Sequence, residues 1–111
     1  MTTEDRLALP KLNPFNHIRA DEIVTEGASM IGQRAASRDQ DSERSMKTTV
    51  NAFNAMYGTA LTEEQGWAFM IFLKLSRASK GKKTKDDYVD GSAYFGLMGE
   101  SALRDVGESN G

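Results

Sequence analysis

The stretch that decides the fold is TEEQGWAFMIFLKLSRA, residues 62–78. Thr62 and Gln65 have the spacing of a capping box, in which each side chain accepts a hydrogen bond from the other residue's backbone N–H. From Trp67 to Leu73 the side chains are apolar on nearly every side of the helix that follows. This helix is predicted to end before Gly81 and to be either the central helix of the domain or part of a subunit interface.

Three further helices are predicted around it, over about residues 20–34, 42–57 and 86–104. No stretch shows the alternation of a strand, so the predicted fold class is all-α, with four helices. The second helix carries apolar residues at i, i+4, i+7 and i+11, which predicts one buried face: Met46, Val50, Phe53 and Tyr57. The fourth carries small residues that indicate a close approach of another backbone: Gly91, Ser92, Ala93, Gly96 and Gly99.

At 111 residues the chain has the length of one domain. Residues 1–18 are predicted to form an extended N-terminal arm, since Pro10 and Pro14 break regular structure. The arm carries apolar side chains that are expected to lie along this domain or along a partner: Leu7, Leu9, Leu12 and Phe15. Residues 19–105 form the predicted helical domain, and residues 106–111 are expected to be a flexible C-terminal tail.

The composition of the chain argues against several kinds of site and partner. Cysteine is absent, which excludes disulfides, thiolate metal sites and a cysteine nucleophile. No apolar run approaches the ~20 residues of a membrane span, and no signal pattern opens the chain. The net charge of −2 argues against direct nucleic-acid binding. We expect a cytoplasmic protein that contacts neither membrane nor nucleic acid.

Charged residues alternate around the two last helices. Glu63 and Glu64 open the third helix, basic residues follow, and Asp87 and Asp90 open the fourth. Acidic residues separated by basic residues suggest a site in which a divalent metal ion binds a polyphosphate. The short linker, however, forces an antiparallel hairpin, which brings Lys74 and Arg77 beside Asp87 and Asp90. These acids are therefore either metal ligands or partners in ordinary ion pairs.

Other polar residues suggest contacts to a nucleotide. Arg38 and Arg44 lie beside the start of the second helix, where a planar guanidinium and helix N–H groups suit phosphate. Local pairs with neighbouring acids are the alternative. Asn51 and Asn54, three residues apart, have amides that suit a base edge, although such residues are more often exposed or bonded to neighbouring helices.

Residues 20–103 resemble a small uncharacterised domain common in tailed-phage genomes. The segments that carry the resemblance are residues 38–46, 53–58, 61–67, 73–77 and 86–94. That domain is in turn distantly similar to the MazG-like all-α nucleoside triphosphate pyrophosphohydrolases, whose pattern is E-E-x-x-E followed by E-x-x-D. Here Glu63-Glu64-x-x-Trp67 is followed, after the 19 residues 68–86, by Asp87-x-x-Asp90. Trp67 takes the place of the third glutamate and removes one metal ligand.

The resemblance implies a MazG-like four-helix bundle that forms a homo-oligomer. It further implies magnesium-dependent hydrolysis of a nucleoside triphosphate to monophosphate and pyrophosphate. The implied metal ligands and catalytic residues are Glu63, Glu64, Asp87 and Asp90. The implied phosphate-binding residues are Lys74, Arg77, Arg44 and Arg38. The implied base and sugar contacts are Asn51, Asn54 and Tyr94.

Two other functions stay open at the level of sequence. Trp67 favours a protein that binds a nucleotide or a nucleotide-derived signal without hydrolysing it, such as a sponge that blunts a host defence. The apolar third helix favours a protein–protein interaction module. A phage-encoded protein of any of these kinds would act in the host cytoplasm.

Overall fold

The computed structural model describes residues 17–37 and 45–110, which form four α-helices and no strand. The helices are α1 (Ala20–Ser37), α2 (Ser45–Tyr57), α3 (Glu63–Ala78) and α4 (Lys85–Asn110). The all-α class and the number of helices are thus confirmed. The predicted arm lies, up to residue 16, outside the described residues, and so do Arg38 and Arg44. Within the described part of the chain, no helix combines the length and apolarity needed to cross a membrane.

The predicted start of α3 is confirmed in detail. The backbone N–H of Gln65 donates to the Thr62 hydroxyl at 3.1 Å, and the Thr62 N–H donates to the Gln65 side chain at 2.9 Å. Two donors that the helix leaves without a partner are thereby satisfied. At the other end, Lys83 Nζ donates to the carbonyl of Ala78 at 2.5 Å, and Gly81 turns the chain with a φ of +59°. The short connection makes α3 and α4 an antiparallel pair.

Helix α4 begins with a second local contact and runs further than predicted. The hydroxyl of Thr84 donates to Oδ2 of Asp87 at 3.1 Å, and Asp86 and Asp87 in the first turn suit the positive end of the helix dipole. The helix continues to Asn110, past the expected end near Arg104, so the residues 106–110 assigned to a tail are helical. No proline follows Pro14 in the sequence, and nothing else in this stretch forces the helix to stop.

The four helices form an open row. α4 packs on α3 along most of its length and on α1 along another side, while α2 packs on α3. Among the described residues, α1 and α2 lie at the two ends of the row, without close backbone contact with each other. Each of these two outer helices therefore packs against one neighbouring helix, and much apolar surface is left exposed.

The core lies where α2, α3 and α4 meet. It is built from Met46, Val50, Trp67, Tyr94 and Leu97. The rings of Trp67 and Tyr94 stack with centroids 5.6 Å apart, and Trp67 is only 3% exposed. Gly66 brings α2 onto α3, because a Cβ there would run into the Met46 side chain and lie 2.8 Å from Val50 Cγ1.

One detail of the predicted packing is wrong, and a second is confirmed only in part. Phe53 and Tyr57, placed on the buried face of α2, are 43% and 67% exposed, although their rings contact each other at 4.7 Å. Among the described helices, only α3 packs against α2, so the end of the apolar stripe of α2 faces solvent. The glycines at 91, 96 and 99 of α4 have open space where a Cβ would stand. The predicted close approach occurs at two other members of that set, Ser92 and Ala93, where the Cβ position of Gly27 of α1 runs into the Ser92 hydroxyl and lies 3.3 Å from the Ala93 nitrogen.

Candidate functional site

Acidic and basic side chains meet at the end of the α3–α4 pair that contains the connecting turn. Lys74 Nζ lies 3.0 Å from Oδ2 of Asp90, and both side chains are largely buried. Arg77 Nε lies 3.8 Å from Oδ1 of Asp87, with the guanidinium mostly in solvent and the carboxylate buried. The pairing predicted from the hairpin is confirmed. Asp87 also accepts the hydrogen bond from Thr84, so both of its oxygens have partners.

A separate ion pair lies at the other end of the same two helices. Arg104 Nη2 donates to Oε1 of Glu63 at 2.6 Å, and Glu63 is among the most buried polar residues that the structure describes. The hydrogen bond to Glu63 raises the pKa of Arg104 above its usual value, against the opposing effect of burial. Asp105 lies 3.5 Å from the guanidinium and adds to its acidic surroundings. The first acid of α3 is thus neutralised by a cation from the far end of α4.

The acids at the starts of α3 and α4 do not form one cluster within this chain. Glu63 pairs with residue 104 and Lys74 pairs with Asp90, so the two sites are 14 residues apart along α4, or about 21 Å at 1.5 Å per residue. In residues 17–37 and 45–110 there is no group of three or more histidine, cysteine, aspartate or glutamate side chains placed to hold a metal ion. The residues of a single subunit therefore do not fit a magnesium site built on Glu63, Glu64, Asp87 and Asp90.

The predicted nucleotide contacts are dispersed in the same way. Tyr94 is buried in the core against Trp67, and Asn51 is exposed on α2. Asn54 closes the turn between α2 and α3, where its amide donates to the carbonyl of Leu61 at 2.9 Å and accepts from the Leu61 N–H at 2.9 Å. Of the predicted phosphate ligands, Arg77 is the more exposed, while Lys74 is engaged with Asp90. Arg38 and Arg44 lie outside the described residues.

A groove of about 270 Å³ runs along the α3–α4 pair beside the Lys74–Asp90 contact. Its walls are largely apolar and include three side chains that are at least 43% exposed: Leu75, Tyr88 and Phe95. Lys74 and Asp87 contribute to its floor, where they are partnered by Asp90 and Arg77. The groove therefore offers apolar surface much more than free charge.

A second apolar surface, the α2–α3 face, lies on a different side of α3. Phe69 and Phe72 are 70% and 67% exposed, and at about 100° per residue both lie more than 100° around the helix from the buried Trp67. The neighbouring helix α2 adds further exposed apolar side chains, namely Met56, at 76% exposure, and the Phe53–Tyr57 pair. Exposed apolar residues that form an extended patch often mark an interaction surface.

Sequence reasoning missed two long-range contacts that fix the helices. The sequence predicts only that a helix ends near Arg104, whereas the pair of Arg104 with Glu63 spans 41 positions in sequence. Lys85 Nζ bonds Oε2 of Glu26 at 2.6 Å and ties α1 to the start of α4. The only sequence signal for either pair was opposite charge, which the chain offers in many combinations.

Comparison with known proteins gives one result. A family model matches residues 22–102, which is most of the chain, and its description is a domain of unknown function, DUF6378. No significant match was found among curated proteins or among solved structures.

Proposed function

The chain belongs to the DUF6378 family of domains of unknown function, and we propose that it acts as a self-associating protein–protein interaction module. The observation that carries the proposal is the exposure of Phe69 and Phe72 in the middle of α3. Fully burying a phenylalanine side chain gains about 1.5–3 kcal/mol relative to leaving it in water. A helix that keeps two of them exposed gains this free energy when a partner covers it.

The partner that fits the α2–α3 face is a second copy of this chain. Two copies related by a two-fold axis bring the same surface to both sides of the interface, so Phe69 and Phe72 pack against apolar residues of the same kind. Two α2–α3 hairpins stacked in this way form a four-helix arrangement, in which the exposed face of α2 is covered by helices of the second copy. Phe53, Met56 and Tyr57 supply the matching apolar surface.

The charges of the described residues support an interaction module over catalysis by one subunit. Glu63, Asp87 and Asp90 each have a cationic partner within 3.8 Å. A carboxylate held in such a pair is already largely neutralised, so its attraction for a metal cation is weaker than that of a free carboxylate. These contacts fasten α3 to α4, which is a structural role.

The test is the mass of the protein in solution. Size-exclusion chromatography with light scattering should give a dimer or larger assembly for the native chain and a monomer for the Phe69→Ser/Phe72→Ser variant. Leu103→Ser is the matched control, since Leu103 is 74% exposed on α4, away from the α2–α3 face. A native chain that stays monomeric as its concentration is raised contradicts the proposal.

Nucleotide handling, as implied by the resemblance to the MazG-like enzymes, is the second candidate. It is supported by the burial of two of the motif acids, Glu63 and Asp87, whereas most of the other acids that the structure describes are exposed. Since the acids of one subunit do not converge, a shared site would have to combine the start of α3 of one copy with the start of α4 of another. Within a single copy these two helix starts lie too far apart.

Incubation with each nucleoside triphosphate and magnesium, followed by separation of the products, tests this candidate. Release of pyrophosphate that is lost in both Glu63→Gln and Asp90→Asn supports it. Turnover that survives both substitutions assigns the activity elsewhere. Thermal stabilisation by a nucleotide without turnover identifies a binding protein instead.

A further inference from the structure

We propose that the α3–α4 groove is a second self-association surface, at which the groove of one copy meets the groove of another with their helices antiparallel. The groove is largely apolar, about 270 Å³ in volume, and bordered by Leu75, Tyr88 and Phe95, each at least 43% exposed. This contact is distinct from the one proposed at the α2–α3 face, because Leu75 and Phe69 lie on sides of α3 about 120° apart.

The end of the groove beside the connecting turn is basic. The groove wall reaches Ala78 and Asp87, which stand on either side of the turn between α3 and α4. Lys80 and Lys82 are exposed in this turn, and they outnumber Asp86, the exposed acid in the first turn of α4. Cationic side chains are therefore available to a partner at this end.

The opposite end of the groove is acidic. Glu64 precedes the groove residue Ile71 by two helical turns, so both lie on one side of α3. Asp105 follows Asp87 of the groove wall by five full turns and lies on the same side of α4. Asp105 is exposed, although it lies 3.5 Å from the guanidinium of Arg104. The groove thus runs from a basic end to an acidic end.

A two-fold axis across the middle of the groove brings these opposite ends together. Ile71 and Phe95 line the groove at the same level, midway between its ends, and an axis there reverses the second copy end for end. On α3 the reversal sets Glu64 opposite Lys80 of the second copy. On α4 it sets Asp105 opposite the start of the same helix in the second copy, beside the basic turn. The charge distribution is therefore self-complementary, which favours a second copy of this chain as the partner.

The same axis packs large side chains against small ones along α4. Phe95, at the axis, meets its own counterpart, and Tyr88 lies opposite Ala102 of the second copy. Gly91 lies opposite Gly99 of the second copy. Both glycines have open space at their Cβ positions within one chain, so the two α4 backbones can approach closely at these positions.

Groove association is expected to be the weaker of the two contacts, because the groove offers fewer exposed large apolar side chains than the α2–α3 face. The inference therefore rests on the proposed function: copies that have paired through the α2–α3 face carry two grooves, and two such dimers gain from making the groove contact twice. The expected assembly contains four copies.

The experiment measures the mass of the full chain by light scattering over a range of protein concentrations. Glu64→Lys or Lys80→Glu alone sets like charges opposite each other and should lower the mass about twofold, to a dimer. The combined variant Glu64→Lys/Lys80→Glu restores opposite charges and should recover the native mass. Gly91→Leu, which has open space within one chain, should also give a dimer, because its side chain blocks the approach of the second copy. The fluorescence of the buried Trp67 reports that each variant is folded.

Lys47→Glu is the matched control, because Lys47 is exposed on α2 about 180° around the helix from Met56, and it should keep the native mass. A native chain that stays a dimer at every concentration overturns the inference and leaves the proposed function intact. A native chain that stays monomeric overturns both. An assembly of four copies that neither Gly91→Leu nor the single charge reversals reduce assigns the second contact to another surface and overturns the inference.

Discussion

Arg104 and Glu63, 41 positions apart in sequence, are joined by a hydrogen bond of 2.6 Å between Nη2 and Oε1. This pair fastens the start of α3 to the second half of α4, while Lys74 and Asp90 fasten the other end of the same helices at 3.0 Å. The two ion pairs lie on either side of the stacked rings of Trp67 and Tyr94. The α3–α4 pair is thus held at both ends by charge and in the middle by apolar packing.

Arg104→Met should destabilise the protein by about 2 kcal/mol, since it leaves the buried carboxylate of Glu63 without its cation. Arg104 is itself partly exposed, so the loss should fall below that of a fully buried pair. Urea unfolding followed by Trp67 fluorescence measures it. Arg19→Met, which breaks an exposed pair with Asp21, should cost less than about 1 kcal/mol. Equal losses in the two variants would show that the Glu63 pair behaves as a surface contact.

Local contacts were the part of this structure that the sequence predicted best. The Thr62–Gln65 capping box depends on residues three apart, and the Lys74–Asp90 pair follows from one short hairpin. The geometry of one helix or one turn is enough to derive both.

Contacts that depend on which helix covers which face, and on the length of each helix, could not be derived from the sequence. Phe53 and Tyr57 continue the apolar period of α2, and periodicity says which side chains share a face but not whether a neighbour covers that face. The separation of Glu63 from Asp87 follows from antiparallel geometry. The choice of Arg104 as the partner of Glu63 depends on the length and register of α4, which the sequence interpretation ended too early.

Asn54→Ala should destabilise the protein by about 1–2 kcal/mol, because the Asn54 side chain bonds both backbone groups of Leu61 and accepts from the Thr59 hydroxyl at 2.7 Å. These contacts hold the turn between α2 and α3. Asn51→Ala is the matched control, since Asn51 is exposed on the same helix, and it should change stability by less than about 0.5 kcal/mol. Thermal unfolding of both variants measures the difference. A larger effect at Asn51 would indicate that Asn54 does not hold the turn.

Gly27→Ala should destabilise the α1–α4 contact by about 2 kcal/mol, because the new methyl group meets backbone atoms of α4 that cannot rotate away. The Cβ position lies 3.1 Å from the Val89 carbonyl oxygen and 3.3 Å from the Ala93 nitrogen. Gly32→Ala, on the same helix with open space at its Cβ position, should instead stabilise the protein by up to about 1 kcal/mol. Denaturant midpoints of the two variants should therefore shift in opposite directions. Shifts in the same direction would argue against close packing at Gly27.

Lys85 should give the protein an alkaline pH dependence. The hydrogen bond to Glu26 raises the pKa of Lys85 above its ordinary value of 10.5, opposed by desolvation and assisted by the charges of Glu26, Glu22 and Asp86. A raised pKa means that the folded state holds the proton more tightly than the unfolded state. The stabilisation is therefore fully present below pH 10.5 and is lost as the pH rises through the raised value.

Urea midpoints of the native chain and of Lys85→Met, measured at about pH 9 and about pH 11.5, check this dependence. The difference between the two proteins should shrink at the higher pH. Lys82→Met, at an exposed position in the preceding turn, controls for the general effect of removing a lysine. A difference that is constant with pH would show that the Lys85 charge contributes nothing to the docking of α1.

Trp67→Glu separates the two main interpretations of the acidic residues. The substitution restores the third glutamate of the E-E-x-x-E pattern at residues 63–67, so it should create or strengthen magnesium binding if the starts of α3 and α4 meet around a metal. Trp67 is instead 3% exposed and stacked on Tyr94, and a carboxylate there has neither the volume of the indole nor a cation as partner. We expect a loss of more than about 4 kcal/mol and an unfolded or molten chain.

Far-UV and near-UV circular dichroism of the Trp67→Glu variant, with and without magnesium, distinguish these outcomes, and Trp67→Phe controls for the loss of the indole itself. Trp67→Phe keeps an apolar ring against Tyr94 and should remain folded, with a smaller loss of about 1–3 kcal/mol. A folded Trp67→Glu protein whose stability rises with magnesium would place the acids around a shared cation after all. Loss of the near-UV signal that magnesium does not restore places residue 67 in the apolar core that joins α3 to α4.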